Sequence, residues 1–387
     1  MDRTALRSLN VGLFAAVFGC SLTVWAQETP APAAPAAEAP AAAEPAAPPA
    51  PAEPAPAPAA EVAAPSPAEA PPAEPAAAKP KPPPYSLPWQ LRPAVVGNVV
   101  RSDTAFAFYK DKDDKESGYT VTSMLLFSYK LSDNFAPMIR LGVSGNAPPL
   151  GTKAKVGVDP MTKLPINKDF DRAQNFLNPV IGATYAVKPA KPLRLAGFLG
   201  VTLPIGGGGG DSPDLSNAQA NNPYGIRSRS SMDNAMFSVN DFAIFPGVDL
   251  AYVSGGLTIQ AEATLFQLLR VKGDAGPAPK NPDSSKTNLT MGLHIGYFVI
   301  PELSIGAEIR HQRFLSTPAA VAADEALASS AQLGLRDQTT WAIGPRAHFK
   351  LGESMWFRPG VSYAMAIDDP MSKFKYKIVQ LDLPFAF

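Results

Sequence analysis

Three histidines are the side chains in this chain best suited to general acid or base catalysis: His294, His311 and His348. A hydrolase needs such a base beside a serine or an activated water. The sequence places no convincing serine partner beside His311. His294 and His348 fall on the inward parity of the strands predicted below. We therefore expect structural histidines, no catalytic residue and no enzymatic activity.

Two polar motifs are compatible with ligand binding but lack the required spacing. The acidic run 111–116 offers carboxylates for a divalent cation or for bridging lipopolysaccharide, but it lacks the calcium-loop pattern. The five glycines Gly206 to Gly210 follow a predicted strand, as a phosphate loop does, but no Lys-Ser/Thr pair follows them. We interpret the first as a solvated loop and the second as a hinge in the long loop 205–235, which can fold over or into a mouth. The sequence predicts no metal site and no cofactor.

Charged residues recur at alternate positions of the apolar segments, and successive strand residues point to opposite faces. The predicted lumen-lining set is Arg140, Arg194, Asp249, Glu262, Arg270, Glu308, Arg310, Arg346, Arg358 and Asp382. Buried charges need water or partners. Either they line a channel, where the excess of arginine favours anionic solutes, or they pair across strands, for example Glu308 or Arg310 with the stretch near Arg346.

The elements that position these residues are twelve predicted strands. Their approximate bounds are 94–109, 118–130, 135–147, 176–188, 193–204, 236–253, 256–271, 287–300, 302–315, 339–351, 355–367 and 374–387. Each is close to or above the roughly 9–11 residues that a tilted strand needs to cross a membrane. The connections alternate between short turns, such as 254–255, and long polar loops, such as 205–235. This alternation is typical of outer-membrane barrels.

The last strand alternates almost perfectly and ends on Phe387, with Val379, Leu381, Leu383 and Phe385 on the same face. It resembles the terminal strand of bacterial outer-membrane β-barrel proteins, porin-like and without a specific subfamily. The resemblance covers the signal peptide and about residues 94–387. It implies an all-β, transmembrane, antiparallel up-and-down barrel of about 12 strands. It also implies insertion by the outer-membrane assembly machinery, with Leu383, Phe385 and Phe387 as the assembly signal.

Each even-numbered predicted strand carries an aromatic residue near its C-terminal end, on the lipid-facing side. These ends lie at the predicted periplasmic interface. The predicted periplasmic girdle is Tyr129, Tyr185, Tyr252, Tyr297, Phe349 and Phe387. Amphipathic rings prefer the headgroup region, so this level marks a membrane interface. Five prolines share the outward parity, and we expect bulges or bends there because proline removes a ladder donor. They are Pro137, Pro179, Pro246, Pro345 and Pro359.

The N-terminus has the pattern of a secretory signal peptide over residues 1–26. Arg3 and Arg7 precede an apolar stretch, and Val24-x-Ala26 predicts cleavage after Ala26. Cys20 is the only cysteine, so the mature chain contains no disulfide framework. The 34 basic and 34 acidic residues leave no basic excess for nucleic-acid binding.

Residues 27–84 have the composition of a disordered linker in the periplasm. Twenty of the 43 prolines fall in residues 28–84, and most of the remainder is alanine. Such a segment lacks the large apolar residues that form a core. It is either a spacer that contacts the cell wall or a periplasmic protein, or a passive lead into the folded barrel of residues 85–387.

These features favour a porin-like channel for small, in particular anionic, solutes in the bacterial outer membrane. Its surroundings would be outer-membrane lipids and lipopolysaccharide. One alternative is a structural or cell-wall-tethering barrel without an open pore. A membrane-embedded hydrolase is the less favoured alternative.

Overall fold

The computed structural model describes residues 9–10, 85–110, 117–148, 152–158, 165–169, 172–207, 224–273, 284–316, 337–369 and 371–387. The predicted cleavage site after Ala26, the linker 27–84, the acidic run 111–116 and Gly208 to Gly210 lie outside the described residues. No helix among the described residues is long and apolar enough to cross a membrane.

Twelve antiparallel strands form a closed barrel, which confirms the predicted fold and strand number. They are β1 Val99–Lys110, β2 Ser117–Ser128, β3 Phe135–Ala147, β4 Val180–Ala190, β5 Leu193–Thr202, β6 Asp241–Ser254, β7 Leu257–Arg270, β8 Ser285–Ile300, β9 Leu303–Phe314, β10 Asp337–Ala347, β11 Gly360–Ala366 and β12 Lys377–Ala386. β12 pairs with β1 from Lys377–Phe108 to Ala386–Val99. Closure pairs the backbone N–H and C=O groups of the first and last strands, as a lipid environment requires.

Short elements extend or accompany the barrel. Ala173–Phe176 pairs with the upper part of β3, and Phe349–Leu351 pairs with Met355–Phe357 below β10 and β11. A separate sheet contains Leu9–Asn10, Thr152–Val158 and Pro165–Asp169. Residues 224–228 and Asn234–Phe237 are helical.

The predicted starts of three strands are wrong. β1 begins at Val99 rather than near residue 94, and β6 begins at Asp241 rather than at 236. β12 begins at Lys377 rather than at 374. Residues 85–98 and 224–240 lie largely buried inside the lumen instead of extending the wall. We call them the plug segment and the mouth segment.

The connections alternate in length from β3 to β10, as predicted, but not elsewhere: six residues join β1 to β2 and β2 to β3, and 12 and 10 residues join β10 to β11 and β11 to β12. Two residues join β4 to β5, β6 to β7, and β8 to β9, whereas 38 residues, 203–240, join β5 to β6. The barrel therefore has a short-turn end and a long-loop end. The plug segment precedes β1 and enters from the short-turn end; the mouth segment enters from the long-loop end.

The outer surface is apolar, which gives the barrel its lipid-facing side. In β6 and β7, exposed and buried residues alternate along nearly the whole strand. All six predicted girdle aromatics are exposed: Tyr129, Tyr185, Tyr252, Tyr297, Phe349 and Phe387. In β12, Leu381 is exposed while the neighbouring Gln380 and Asp382 are buried, which confirms the predicted parity of this strand.

The expected proline bulges occur only in part. Around Pro179 the pairing of β3 shifts by one residue between Phe176 and Val180. At Pro246 two residue pairs are missing between β6 and β7, and at Pro345 two are missing between β10 and β11. The register is the same on either side of each gap. The lost donor is therefore accommodated by a gap in the ladder, without an extra residue.

Candidate functional site in the lumen

The plug segment occupies the short-turn half of the lumen. Trp89, Leu91 and Ala94 are at most 1% exposed, although they belong to no strand. The expectation that residues 94–98 form part of the wall is wrong, because these residues belong to the plug segment.

Backbone amides of the plug segment donate to polar side chains of the barrel wall. The amide of Trp89 donates to Glu308, and that of Gln90 donates to the same carboxylate at 3.3 Å. The amide of Arg92 donates to Glu262 Oε2 at 2.5 Å. The amide of Ser86 donates to Thr258 Oγ1 at 2.9 Å. Buried carboxylates therefore satisfy amides that an irregular segment leaves unpaired.

Buried cationic and amide side chains satisfy the carbonyls of the same segment. Arg101 donates to the carbonyl oxygen of Trp89 and, at 3.2 Å, to that of Pro88. Gln380 Nε2 donates to the Trp89 carbonyl at 3.2 Å. Arg101 and Arg346 share the carboxylate of Asp382, at 2.7 Å and 2.5 Å.

Two side chains of the plug segment complete these contacts. The Arg92 guanidinium lies 2.9 Å from Glu262 and 3.8 Å from Asp249, on β7 and β6. The guanidinium of Arg346 lies 4.4 Å from the centre of the Trp89 ring, in the geometry of a cation–π contact.

Glycines of the wall leave the space that the plug segment fills. A Cβ atom at Gly292 would lie 2.2 Å from Leu91 Cδ2, and one at Gly360 would lie 2.6 Å from Trp89 Cζ3. Any larger residue at these inward positions would collide with the plug segment.

Ion pairs fix the mouth segment at the centre of the barrel. Arg229 Nη1 and Nη2 donate to Asp103 at 2.8 and 2.5 Å, and Arg229 Nε donates to Asp233 at 2.9 Å. Arg140 on β3 donates to Asp233 at 2.5 Å. Arg310 donates to the hydroxyl of Ser230 at 3.2 Å. The mouth segment is thus tied to three different strands.

These pairs keep the mouth segment charged. Burial by itself raises the pKa of Asp233, but the guanidiniums of Arg140 and Arg229 outweigh burial and lower that pKa below 3.8. Burial opposes the charge of Arg229 in the same way, and the carboxylates of Asp103 and Asp233 more than offset it, so the pKa of Arg229 is raised.

Apolar packing also holds the mouth segment. Ile226, Met236 and Phe237 are each 1% exposed and pack against inward residues of the wall, among them Phe245 and Phe266. The inward face of β5 to β7 therefore includes large apolar residues beside the predicted charged ones. Each such buried side chain contributes about 1.5–3 kcal/mol, so this segment is anchored more strongly than ion pairs alone would provide.

All ten predicted lumen-lining residues lie on the inner side of the wall, and each contacts a charged or aromatic side chain. Glu308 pairs with Arg310 of its own strand at 2.8 Å rather than with the stretch near Arg346. Arg270 approaches Asp241 at 3.7 Å near the long-loop end. Arg194 and Arg358 have no carboxylate partner among the described residues; they stack on Tyr85 and Trp356 instead. The remaining five take part in the contacts above: Arg140, Asp249, Glu262, Arg346 and Asp382.

Sequence reasoning missed residues that complete these networks. They are Trp89, Arg92, Arg101, Asp103, Arg229, Asp233 and Gln380. Arg101 and Asp103 share the inward parity of β1, so the alternation of that strand was a usable signal. Nothing in the alternation indicated the partners contributed by the two inner segments.

The histidines have separate surroundings. His348 Nε2 lies 2.8 Å from Ser304 Oγ, and His311 Nδ1 lies 3.0 Å from Thr339 Oγ1. Within the described residues no carboxylate contacts His348. His294 Nδ1 lies 3.5 Å from Glu308 inside the lumen. Across the same described ranges, no group of three or more His, Cys, Asp or Glu side chains is placed to hold a metal ion.

No family model and no curated protein matches the chain. Solved outer-membrane structures do match. A KdgM porin in complex with disordered oligogalacturonate is 8% identical, with a TM-score of 0.38, covering 75% of this chain and 99% of that one. An outer-membrane channel from Pseudomonas putida F1 is 11% identical, with a TM-score of 0.43, covering 77% and 96%. The NanC porin is 7% identical, with a TM-score of 0.40, covering 74% and 100%. No subfamily is identified, and likeness at this level does not indicate a solute.

Proposed function

We propose that this protein is a porin-like channel of the bacterial outer membrane, closed at rest by its plug segment. The observation that carries the proposal is the chemistry of the lumen. In its short-turn half, charged and amide side chains of the wall hydrogen-bond the backbone of the plug segment, and apolar side chains of the segment pack beside them. Water can replace such bonds, most of which join a charged side chain and contribute about 1.5–3 kcal/mol each. Withdrawal of the plug segment would leave a hydrated, charged passage.

The mouth segment plays a different part in this proposal. Its apolar contacts with β5 to β7 and its ion pairs with Asp103 and Arg140 keep it in place when the plug segment leaves. It then forms the constriction of the channel. Arg194 and Arg358, which have no described carboxylate partner, support a preference for anionic solutes at the short-turn end.

Uptake into liposomes tests this proposal. The chain from residue 27 onward and a variant lacking residues 85–96 are reconstituted separately, and swelling is followed in neutral and in anionic sugars of similar size. We expect little swelling with the first protein and rapid swelling with the second, faster for the anionic sugar. A folded variant that admits neither sugar would refute the channel.

A structural or wall-tethering barrel is the second candidate, since both inner segments are deeply buried in this structure. It predicts no solute uptake by either protein. If the linker is the working part of such a barrel, deleting residues 28–84 should weaken the cell envelope without changing permeability. The same deletion in a channel protein should leave plug-dependent uptake intact.

A further inference from the structure

A second, smaller site lies at the short-turn end of the barrel. A cavity of about 250 Å³ opens between the plug segment and the wall. Its apolar side is formed by Leu87, Val95, Val99, Leu126 and Met138. This is larger than the roughly 150 Å³ of an engineered cavity that binds benzene, so a bicyclic or short-chain ligand fits.

One cation faces this apolar cavity without a counter-charge. Arg358 contributes to the lining, and no carboxylate among the described residues pairs with it. Its Nε atom is buried and has no hydrogen-bond acceptor. The ring of Trp356 lies 5.2 Å from its guanidinium carbon, so the group rests on an aromatic face. An unpaired buried donor costs free energy that a bound acceptor would recover.

The charge around Arg358 is positive as well. Arg101, which also lines the cavity, shares the single carboxylate of Asp382 with Arg346. The one described carboxylate within 4 Å of Arg101 and Arg346 is thus already shared by two guanidiniums. The second cationic cavity, of about 620 Å³ around Arg194 and Lys188, lacks an apolar side of comparable extent.

From this combination we infer that the cavity binds a small amphiphilic carboxylate. The carboxylate accepts hydrogen bonds from Arg358, and the apolar body lies against Leu87, Val99 and Leu126. A charge-assisted bond in a site shielded from water gives orientation, and the apolar wall gives most of the buried area. The site does not depend on whether the barrel conducts.

Fluorescence titration with 2-naphthoate tests the site on the full chain from residue 27 in phosphatidylcholine nanodiscs, with empty nanodiscs subtracted. We expect saturable binding at one site per barrel. Arg358→Gln should raise Kd about ten- to a hundredfold, and Val99→Trp, which fills the cavity but keeps the charge, should abolish binding. Arg313→Gln, on an exposed pair with Asp337, is the matched control and should leave Kd unchanged.

An uncharged probe distinguishes the contribution of Arg358 to binding from that of the apolar wall. 2-Naphthylmethanol has the same apolar body without the charge and should bind at least tenfold more weakly to the unmodified protein. This comparison involves no variant, so it does not depend on whether the variants fold. Circular dichroism and heat-modifiable migration in gels establish the folding of each variant. No saturable naphthoate binding, equal binding of both probes, or equal binding to folded Arg358→Gln would overturn the inference. Because the readout is binding, these results do not bear on solute uptake.

Discussion

Arg229 of the mouth segment donates two hydrogen bonds to Asp103 of β1, at 2.8 and 2.5 Å, deep inside the barrel. Gln380 donates to the same carboxylate at 2.8 Å and to the Trp89 carbonyl of the plug segment at 3.2 Å. The two inner segments are therefore linked by hydrogen bonds through Asp103 and Gln380.

Arg229→Gln should destabilise the barrel strongly. The substitution removes the main partner of the Asp103 carboxylate and one of the two guanidiniums that bind Asp233, and breaking such a buried pair costs about 3–5 kcal/mol. Reversible urea unfolding from lipid vesicles measures this. Arg313→Gln removes an exposed pair of 3.5 Å and should cost at most about 1 kcal/mol. Equal losses would mean that the buried pair does not anchor the mouth segment.

Gly292→Val should displace the plug segment, because its side chain would enter the space of Leu91. We expect more frequent openings in planar bilayers while the barrel stays folded. Gly197→Val is the matched control, since no atom lies within 4 Å of a Cβ atom there, and it should behave like the unmodified protein. Unchanged gating in a folded Gly292→Val barrel would argue against closure by this segment.

The ion pairs of the mouth segment should survive mild acid. The pKa of Asp233 is lowered from 3.8, so its contribution is fully present above that value and is lost only as pH falls through the lower pKa of the folded state. Hydrogen exchange of residues 224–240, corrected for the intrinsic rate, should be unchanged from pH 8 to 5 and should rise below about 3.8.

Asp233→Asn should weaken the same protection at pH 7 and reduce its acid dependence, because only one of the two carboxylates that bind Arg229, that of Asp103, is then left. Loss of protection in the unmodified protein between pH 7 and 5 would instead implicate a group with a higher pKa. That result would contradict the assignment of Asp233 as the acid-sensitive anchor.

The register of β8 predicts how charges are tolerated on the outer surface. Leu293→Arg places a cation on the outer face of mid-strand β8 and should cost about 2–4 kcal/mol, whereas Tyr297→Arg at the girdle should cost about 0–1 kcal/mol. Both residues are exposed in the structure, 40% and 53%, so simple burial does not distinguish them. Equal costs would place the membrane at a different height.

Much of the wall was predictable because a strand has a fixed period of two. Alternation gave the twelve strands, the inward position of Arg346 and Asp382 and the outward position of Tyr297. The plug segment was not predictable in this way. Trp89 and Leu91 are two residues apart, as in a strand, and a short irregular segment has no period of its own that would distinguish it from one. The inward glycines Gly292 and Gly360 were a usable sign that something fills the lumen.

The pairing of lumen charges depends on which segment lies beside them. Glu308 and Arg310 are two residues apart and face the same side, so parity allowed this pair, whereas the stretch near Arg346 was the partner predicted from the sequence. Arg229 reaches Asp103 across 126 residues of sequence, through a loop without periodic pattern. Only the folded chain shows that the mouth segment turns inward.

Single-channel recording in planar bilayers tests the central claim most directly. The chain from residue 27 and the variant lacking residues 85–96 are compared in the same lipid and salt. We predict rare or no openings for the first and stable stepwise conductance for the second. Equal conductance of the two proteins, or a folded variant that never conducts, would contradict a channel closed by its plug segment.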